Sequence, residues 1–292
     1  MSALPFPIRI LRAVSVILLT LSIVNITFSV RISLSPSPLL GKVFGTQIIS
    51  SDDVILPIRW GDIGEKLVMT GVIDREKLEK VYGSRGGLTK EEIAFLTDKG
   101  DEPIIMSETN ANFVLNLLWA FGLANKNEIL EKGEMADMRY GGPQNFASTG
   151  GWTLASGDVM NHFSKHEFVK LTPNEQALVD RVSKNIYRPC CDNPTHFPDC
   201  NHGMAMLGLL ELMAANGVSE QTMYRVALSV NTLWFPDVYL TIQKYLDTHG
   251  SIWQRLDPKT ILGPAYSSAS GYQRILREVK PVNDSSGGSC GV

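Results

Sequence analysis

The sequence predicts a mainly α-helical exported domain behind an N-terminal membrane anchor, with irregular Gly/Pro-rich loops between its helices. Three observations predict it. Residues 13–30 form an uncharged apolar run behind Arg9 and Arg12. Helix-capping residues repeatedly precede apolar segments of helical period. Three of the four cysteines (Cys190, Cys191, Cys200) and two of the five histidines (His196, His202) lie immediately before or at the start of a strongly apolar helical segment. At 292 residues, 44% hydrophobic and 20% charged, the chain can bury a core without covalent help. A net charge of -3, with no Lys/Arg stripe, carries no electrostatic footprint for nucleic acid.

Residues 13–30 are about as long as the shortest segments that cross a bilayer. Arg9 and Arg12 place the N-terminal tip in the cytoplasm and the remainder outside. A cleaved signal peptide shares the charged start and apolar centre. The small-residue cleavage pattern is weak, so residues 1–30 read as an uncleaved tip and single-pass signal anchor. Residues 31–51, rich in Ser, Pro and Gly, read as a linker. Residues 52–170 follow as a helical scaffold, 171–279 as a helical region carrying the Cys/His loop, and 280–292 as a flexible tail.

Within the scaffold, Asp74 caps a short charged helix that Gly83 closes, and Thr89 with Glu92 makes a capping box for a helix reaching Leu96. Residues 107–124 form the next helix, whose Phe113, Leu117, Ala120 and Phe121 share one face as core rather than as a cofactor stripe. Residues 140–152 are a Gly/Ser-rich irregular loop lacking the ending and preceding strand of a phosphate-binding loop. His162 and His166 are four apart but lack the His-Glu-x-x-His pattern, so they read as solvated or capping. Thr172, Pro173 and Glu175 open a helix running to about Asn185, which Pro189 stops. Asn201 caps a helix through Ala215. Two more follow over 221–230 and 238–245, then His249 at a helix C-terminus and a last ordered piece near 272–279.

The helix from 201 carries Glu211 as its only charge, and its apolar residues point in nearly every direction, so other helices surround it. Gly203, Ala205 and Gly208 offer places for close backbone approach. The cysteines therefore sit at the mouth of a buried helix. Thiolate and imidazole are ligands for Zn²⁺ or copper, and Cys190, Cys191, Cys200 and His202 supply a four-donor set, with His196 as an alternate or outer ligand. Met204 and Met206 would add thioethers suited to Cu(I). The competing readings are a disulfide from Cys200 to Cys190 or Cys191, thiol–disulfide exchange with Cys200 at the helix N-terminus, and plain packing. Adjacent Cys190 and Cys191 are poorly placed to pair with each other.

Arg188, the cysteines, Asp199-Cys200-Asn201, a helix, then Gly217-Val218-Ser219-Glu220 and another helix resemble the thiol domain of cytochrome c maturation reductases. Pro189-Cys190-Cys191 with His196 and Asp199-Cys200 is also similar to the exported lipoproteins named for a Pro-Cys-Tyr-Cys-Gly-Cys motif. Both resemblances cover about residues 172–239. The reductase's Cys-x-x-Cys and the middle of the lipoprotein motif are absent. Only Arg188, Cys190 or Cys191, and Cys200 map onto either pattern, which implies an exported thiol or metal site and no named activity.

The carboxylate pairs Asp52-Asp53 and Asp101-Glu102 sit at loop ends, and no strand-to-helix nucleophile turn is apparent. The expected function is therefore a membrane-anchored, extracytoplasmic protein with a Zn or Cu site. A thiol-exchange protein and a disulfide-stapled interaction module are the alternatives.

Overall fold

The computed structural model describes residues 53–100 and 103–283. The apolar run at 13–30, the linker, the neighbouring pairs completed by Asp52, Asp101 and Glu102, and Cys290 in the tail lie outside the described residues. Among the described residues no helix is long and apolar enough to cross a membrane.

Helices dominate the described residues, and several begin where a side chain satisfies their first N–H groups. Strand β1 (Val54–Ile55) precedes α1 (Ile63–Met69), α2 (Arg75–Tyr82) and α3 (Lys90–Thr97). Asp74 caps α2 through two backbone N–H groups, and Thr89 with Glu92 forms the expected capping box of α3. Strand β2 (Ile105–Met106) pairs antiparallel with β1, a two-residue ladder too short to be read from the sequence. Helix α4 (Ala111–Ala124) starts four residues later than the periodicity predicts. The Asn110 side chain accepts the Ser107 N–H at 2.8 Å and holds residues 107–110 in a turn.

Helix α5 (Glu128–Lys132) is followed by a long irregular segment up to α6 (Pro173–Ser183), which opens on the predicted capping box of Thr172 and Glu175. Then come α7 (Asn201–Ala215), α8 (Glu220–Trp234), α9 (Pro236–Thr248) and the short helices α10 (Pro258–Ile261), α11 (Pro264–Ser267) and α12 (Ala269–Ile275). Helices α8 and α9 are longer than the sequence predicts and only Phe235 separates them, because Pro236 needs no N–H partner in a first helical turn. The final helix lies earlier than residues 272–279, since the Ser268 hydroxyl takes the Gly271 N–H and starts it there. His249 ends α9 as expected, with Nδ1 2.8 Å from the Tyr245 carbonyl.

At the centre, α4 packs on α7. Phe113, Leu117, Ala120 and Phe121 are all buried, so the predicted stripe is core. Burying each large apolar side chain contributes about 1.5–3 kcal/mol. The two backbones approach so closely that a Cβ on Gly122 would fall 2.3 Å from the Met204 carbonyl oxygen, and one on Gly208 would fall 2.6 Å from that of Leu118. Neither backbone can yield, so glycine sets the spacing. Every residue of α7 from Asn201 to Ala214 is buried, as a helix apolar all round requires.

His162 and His166 depart from the solvated reading. They follow a 3-10 turn at Val159–Asn161 instead of lying on a longer helix. His162 is buried, and its Nδ1 lies 3.1 Å from His166 Nε2. Burial, and then the neighbouring His162, lower the His166 pKa.

Candidate metal centre

The loop between α6 and α7 starts after Ser183, earlier than the stop that Pro189 predicts, and it returns to the mouth of α7. Backbone bonds brace it from below: Thr195 N–H donates to the Ile186 carbonyl at 2.8 Å and His196 N–H to that of Ser183 at 3.2 Å. The C-terminal helices hold its outer corner. Ala269 N–H donates to the Cys191 carbonyl at 3.0 Å, and Ser270 N–H donates to the Asp192 carboxylate at 2.7 Å.

Arg188 occupies the middle of this loop and is 1% exposed. Its Nε donates to Cys200 Sγ at 3.0 Å, one terminal nitrogen donates to the Asn193 carbonyl at 2.8 Å, and the other to the Phe197 carbonyl and the Asp199 carboxylate. A buried guanidinium is tolerated only with such a set of partners. Gly203 makes room for it, since a Cβ there would fall 2.5 Å from the Arg188 guanidinium carbon. Asn193 supports Asp199 in turn, donating to its second oxygen at 2.8 Å.

Cys200, and not the predicted Asn201, is the N-cap of α7: its sulfur accepts the Gly203 N–H at 3.4 Å. Asn201 instead accepts the His202 N–H through its own side chain at 2.8 Å. Cys190 Sγ lies 3.5 Å from Cys200 Sγ and 4.0 Å from His202 Nδ1. One donor atom from each of Cys190, Cys200 and His202 lies within 4.8 Å of the others, and the same holds for Cys191, Asp199 and Cys200. Cys200 is thus common to two overlapping donor groups. The His202 ring is seated against Phe235 and Trp234, with ring centroids at 4.5 and 5.5 Å.

The electrostatics divide the thiols. Hydrogen bonds from Cys190 and then Cys191, reinforced by the Arg188 charge, hold Cys200 well below the usual thiol value although burial opposes this. Cys191 is pushed up to about 12: its hydrogen bond with Cys190 pulls it down, but its hydrogen bond with Cys200 and its burial outweigh that. Burial disfavours the charge on Arg188, but the surrounding sulfurs and Asp199 win and raise its pKa.

Of the five residues singled out in the sequence, Cys190, Cys200 and His202 come together in one donor group, Cys191 joins Cys200 and Asp199 in a second, and His196 turns away. His196 has Nδ1 2.9 Å from Glu134 and Nε2 2.9 Å from Asp180, so both ring nitrogens are engaged outside the sulfur cluster. It lines a separate open groove of about 830 Å³ with Asp180, Lys184 and Gln176, and no cysteine reaches that groove. Met204 and Met206 are buried core residues.

Comparison of the chain with known protein families, with curated proteins and with solved structures finds no match to any of them. The centre must be read from its own atoms.

Two of its members were not among the ligands expected from the sequence. Arg188 and Asp199 entered the sequence reading only through a resemblance, yet they form the buried ion pair that frames Cys200. The available signal was their position: two charged residues flanking the cysteines of a loop that feeds an all-buried helix. The Gly/Ser-rich segment was also missed as part of the site. Ser148 N–H donates to the Asp199 carbonyl at 3.1 Å, and Trp119 of α4 donates to the Ser148 carbonyl at 2.6 Å. Phe146 and Tyr140 of that segment pack on Phe197 of the Cys loop, each with ring centroids at 5.3 Å.

Proposed function

We propose that this protein binds a thiophilic metal ion, Zn²⁺ or Cu(I), through Cys190, Cys200 and His202, with Cys191 as the fourth donor. The supporting observation is the convergence of these side chains at the buried mouth of α7, three of them with donor atoms inside 4.8 Å. In a tetrahedral site with metal–sulfur bonds of about 2.3 Å, two thiolates stand about 3.8 Å apart. Cys190 and Cys200 are at 3.5 Å, near that edge length and well beyond the ~2.05 Å of a disulfide. The N–H groups of Arg188 and Gly203 that point at Cys200 stabilise a metal-bound thiolate in the same way, as outer hydrogen bonds do at metal–sulfur sites.

The site is a binding centre in this reading and not a catalytic one. Its place in the cell follows from the N-terminal apolar run, which we propose anchors the chain in a membrane with the helical domain outside the cytoplasm. A reporter fused after Val292 that is active only in the cytoplasm would overturn that topology. Native mass spectrometry of the chain purified under reducing conditions tests the metal reading. About one Zn²⁺ or Cu(I) per chain is expected, as a four-donor site requires, and it is lost in His202→Ala and in Cys200→Ser. A metal-free wild-type chain after incubation with either ion sinks the reading.

A further inference from the structure

The sulfurs of Cys190 and Cys200 are in van der Waals contact at 3.5 Å and face the same donor group. They differ in access. Cys190 is half-buried, whereas Cys200 is 6% exposed behind it. The third thiol approaches Cys200 from another side: Cys191 shares a donor group with Asp199 and Cys200, its Sγ lies 3.8 Å from the Asn193 carbonyl, and Ala269 donates to the Cys191 carbonyl. Its neighbour Cys190 is too close in sequence for ordinary disulfide geometry with it. A reagent arriving from solvent can reach Cys190, and the buried Cys200 sulfur then stands 3.5 Å from the sulfur it has modified.

We infer that a small external disulfide controls this centre: Cys190 and Cys200 exchange with it to form their own disulfide, and the metal is released. What is released rests on the metal reading above, while the bond itself follows from the placement of the two sulfurs. The metal-bound Cys190 thiolate attacks one sulfur of the external disulfide, and the first external thiolate leaves. The Cys200 thiolate then attacks Cys190 Sγ in the mixed disulfide and expels the second external thiolate. Two protein thiolates lose two electrons, and the external disulfide gains them as two thiolates. The metal keeps its charge and leaves because two of its ligands are gone. Arg188 keeps Cys200 aimed at Cys190 throughout, since its contacts to Asn193, Phe197 and Asp199 do not involve the reacting sulfurs.

Oxidised glutathione added to the zinc-loaded full chain tests this, with zinc followed by a chromogenic chelator and bonds by peptide mass mapping. The expected result is one zinc released for each Cys190–Cys200 bond, reversed by a reductant with zinc present. Cys200→Ser should stop at a mixed disulfide on Cys190, and Cys190→Ser should form neither species. The wild-type bond map decides the matter if either variant fails to fold. A bond that maps to Cys191, or zinc retained after the Cys190–Cys200 bond has formed, overturns the inference alone. So does a zinc-loaded chain that forms no bond in excess oxidised glutathione. A reduced chain that takes up no zinc overturns the metal reading and this inference with it, and that is measured before any oxidant is added.

Discussion

Helix α7 carries two buried ionisable groups eleven positions apart, about 16 Å along its axis, and they behave in opposite ways. At its mouth, Cys200 faces a guanidinium, a backbone N–H and two further thiols, and it is drawn toward the thiolate. Near its other end, Glu211 faces the neutral amide of Asn125, which donates to one carboxyl oxygen at 2.6 Å. Its other oxygen has no hydrogen-bond partner among the described residues. Burial dominates there, and the Glu211 carboxyl is pushed up to about 8, with Asn125 and Asn127 only moderating the rise. Two buried groups on one helix are thus shifted in opposite senses, the thiol toward its anion and the carboxyl toward its neutral form, because solvent has been replaced by an ion pair at one and by amides at the other. Burial raises the stakes of ionisation, and the nearest partners decide its direction.

The strongest test of this contrast removes the cation. Arg188→Met removes the charged donor from the Asp199 carboxylate and from the Asn193 and Phe197 carbonyls, leaving Asp199 its bond from Asn193 and Phe197 its bond from the Asp199 N–H, and Arg188→Lys offers one point charge where four contacts exist. Loss of one partner from a buried charged set costs about 3–5 kcal/mol. Urea unfolding should show a loss of that order for Arg188→Met, with Arg188→Lys recovering only part of it. A loss below about 1 kcal/mol would mean that Arg188 does not hold the loop together.

The opposite end should respond with the opposite sign. Glu211 is neutral in the folded chain up to about pH 8, whereas an unfolded carboxyl ionises near 4.5. The folded pKa is the raised one, so the proton-linked stability is fully present below pH 4.5 and is lost progressively as pH rises to about 8. Glu211→Gln keeps the shape and removes the proton. Its stability should exceed that of the wild type by an amount that grows across this window, by about 1.36 kcal/mol for each pH unit crossed, to a few kcal/mol before levelling off. Parallel stability curves for the two proteins from pH 5 to 9 would show that Glu211 does not titrate in this way.

The smallest effect is expected at His196, which lies in the Cys loop yet outside the sulfur cluster. Its partners Glu134 and Asp180 are close to half exposed, so His196→Asn should cost no more than about 1 kcal/mol. Metal content should not change. A metal-depleted His196→Asn chain would return this histidine to the ligand set.

The helical class, both capping boxes, the buried stripe of α4 and the all-buried character of α7 are legible in the amino-acid sequence without any structure. They are short-range consequences of hydroxyls and carboxylates near helix starts and of apolar period, so a single segment displays them. The position of the cysteines at the mouth of the buried helix is legible too, because a run of ligand-type residues before an apolar segment is visible in one dimension. The direction in which each ligand turns is not. The sequence ranks His202 ahead of His196 but keeps His196 as an alternate ligand, and the packing around the loop, which brings Glu134 and Asp180 to His196, engages both of its ring nitrogens elsewhere. Likewise, the pairing of Arg188 with Asp199, the seating of the Gly/Ser-rich segment on the Cys loop, and the Gly122–Gly208 contact join residues that are not neighbours in the chain. Those contacts exist only after folding has excluded water from between them, and the same exclusion moves the Cys200 and Glu211 pKa values in opposite directions.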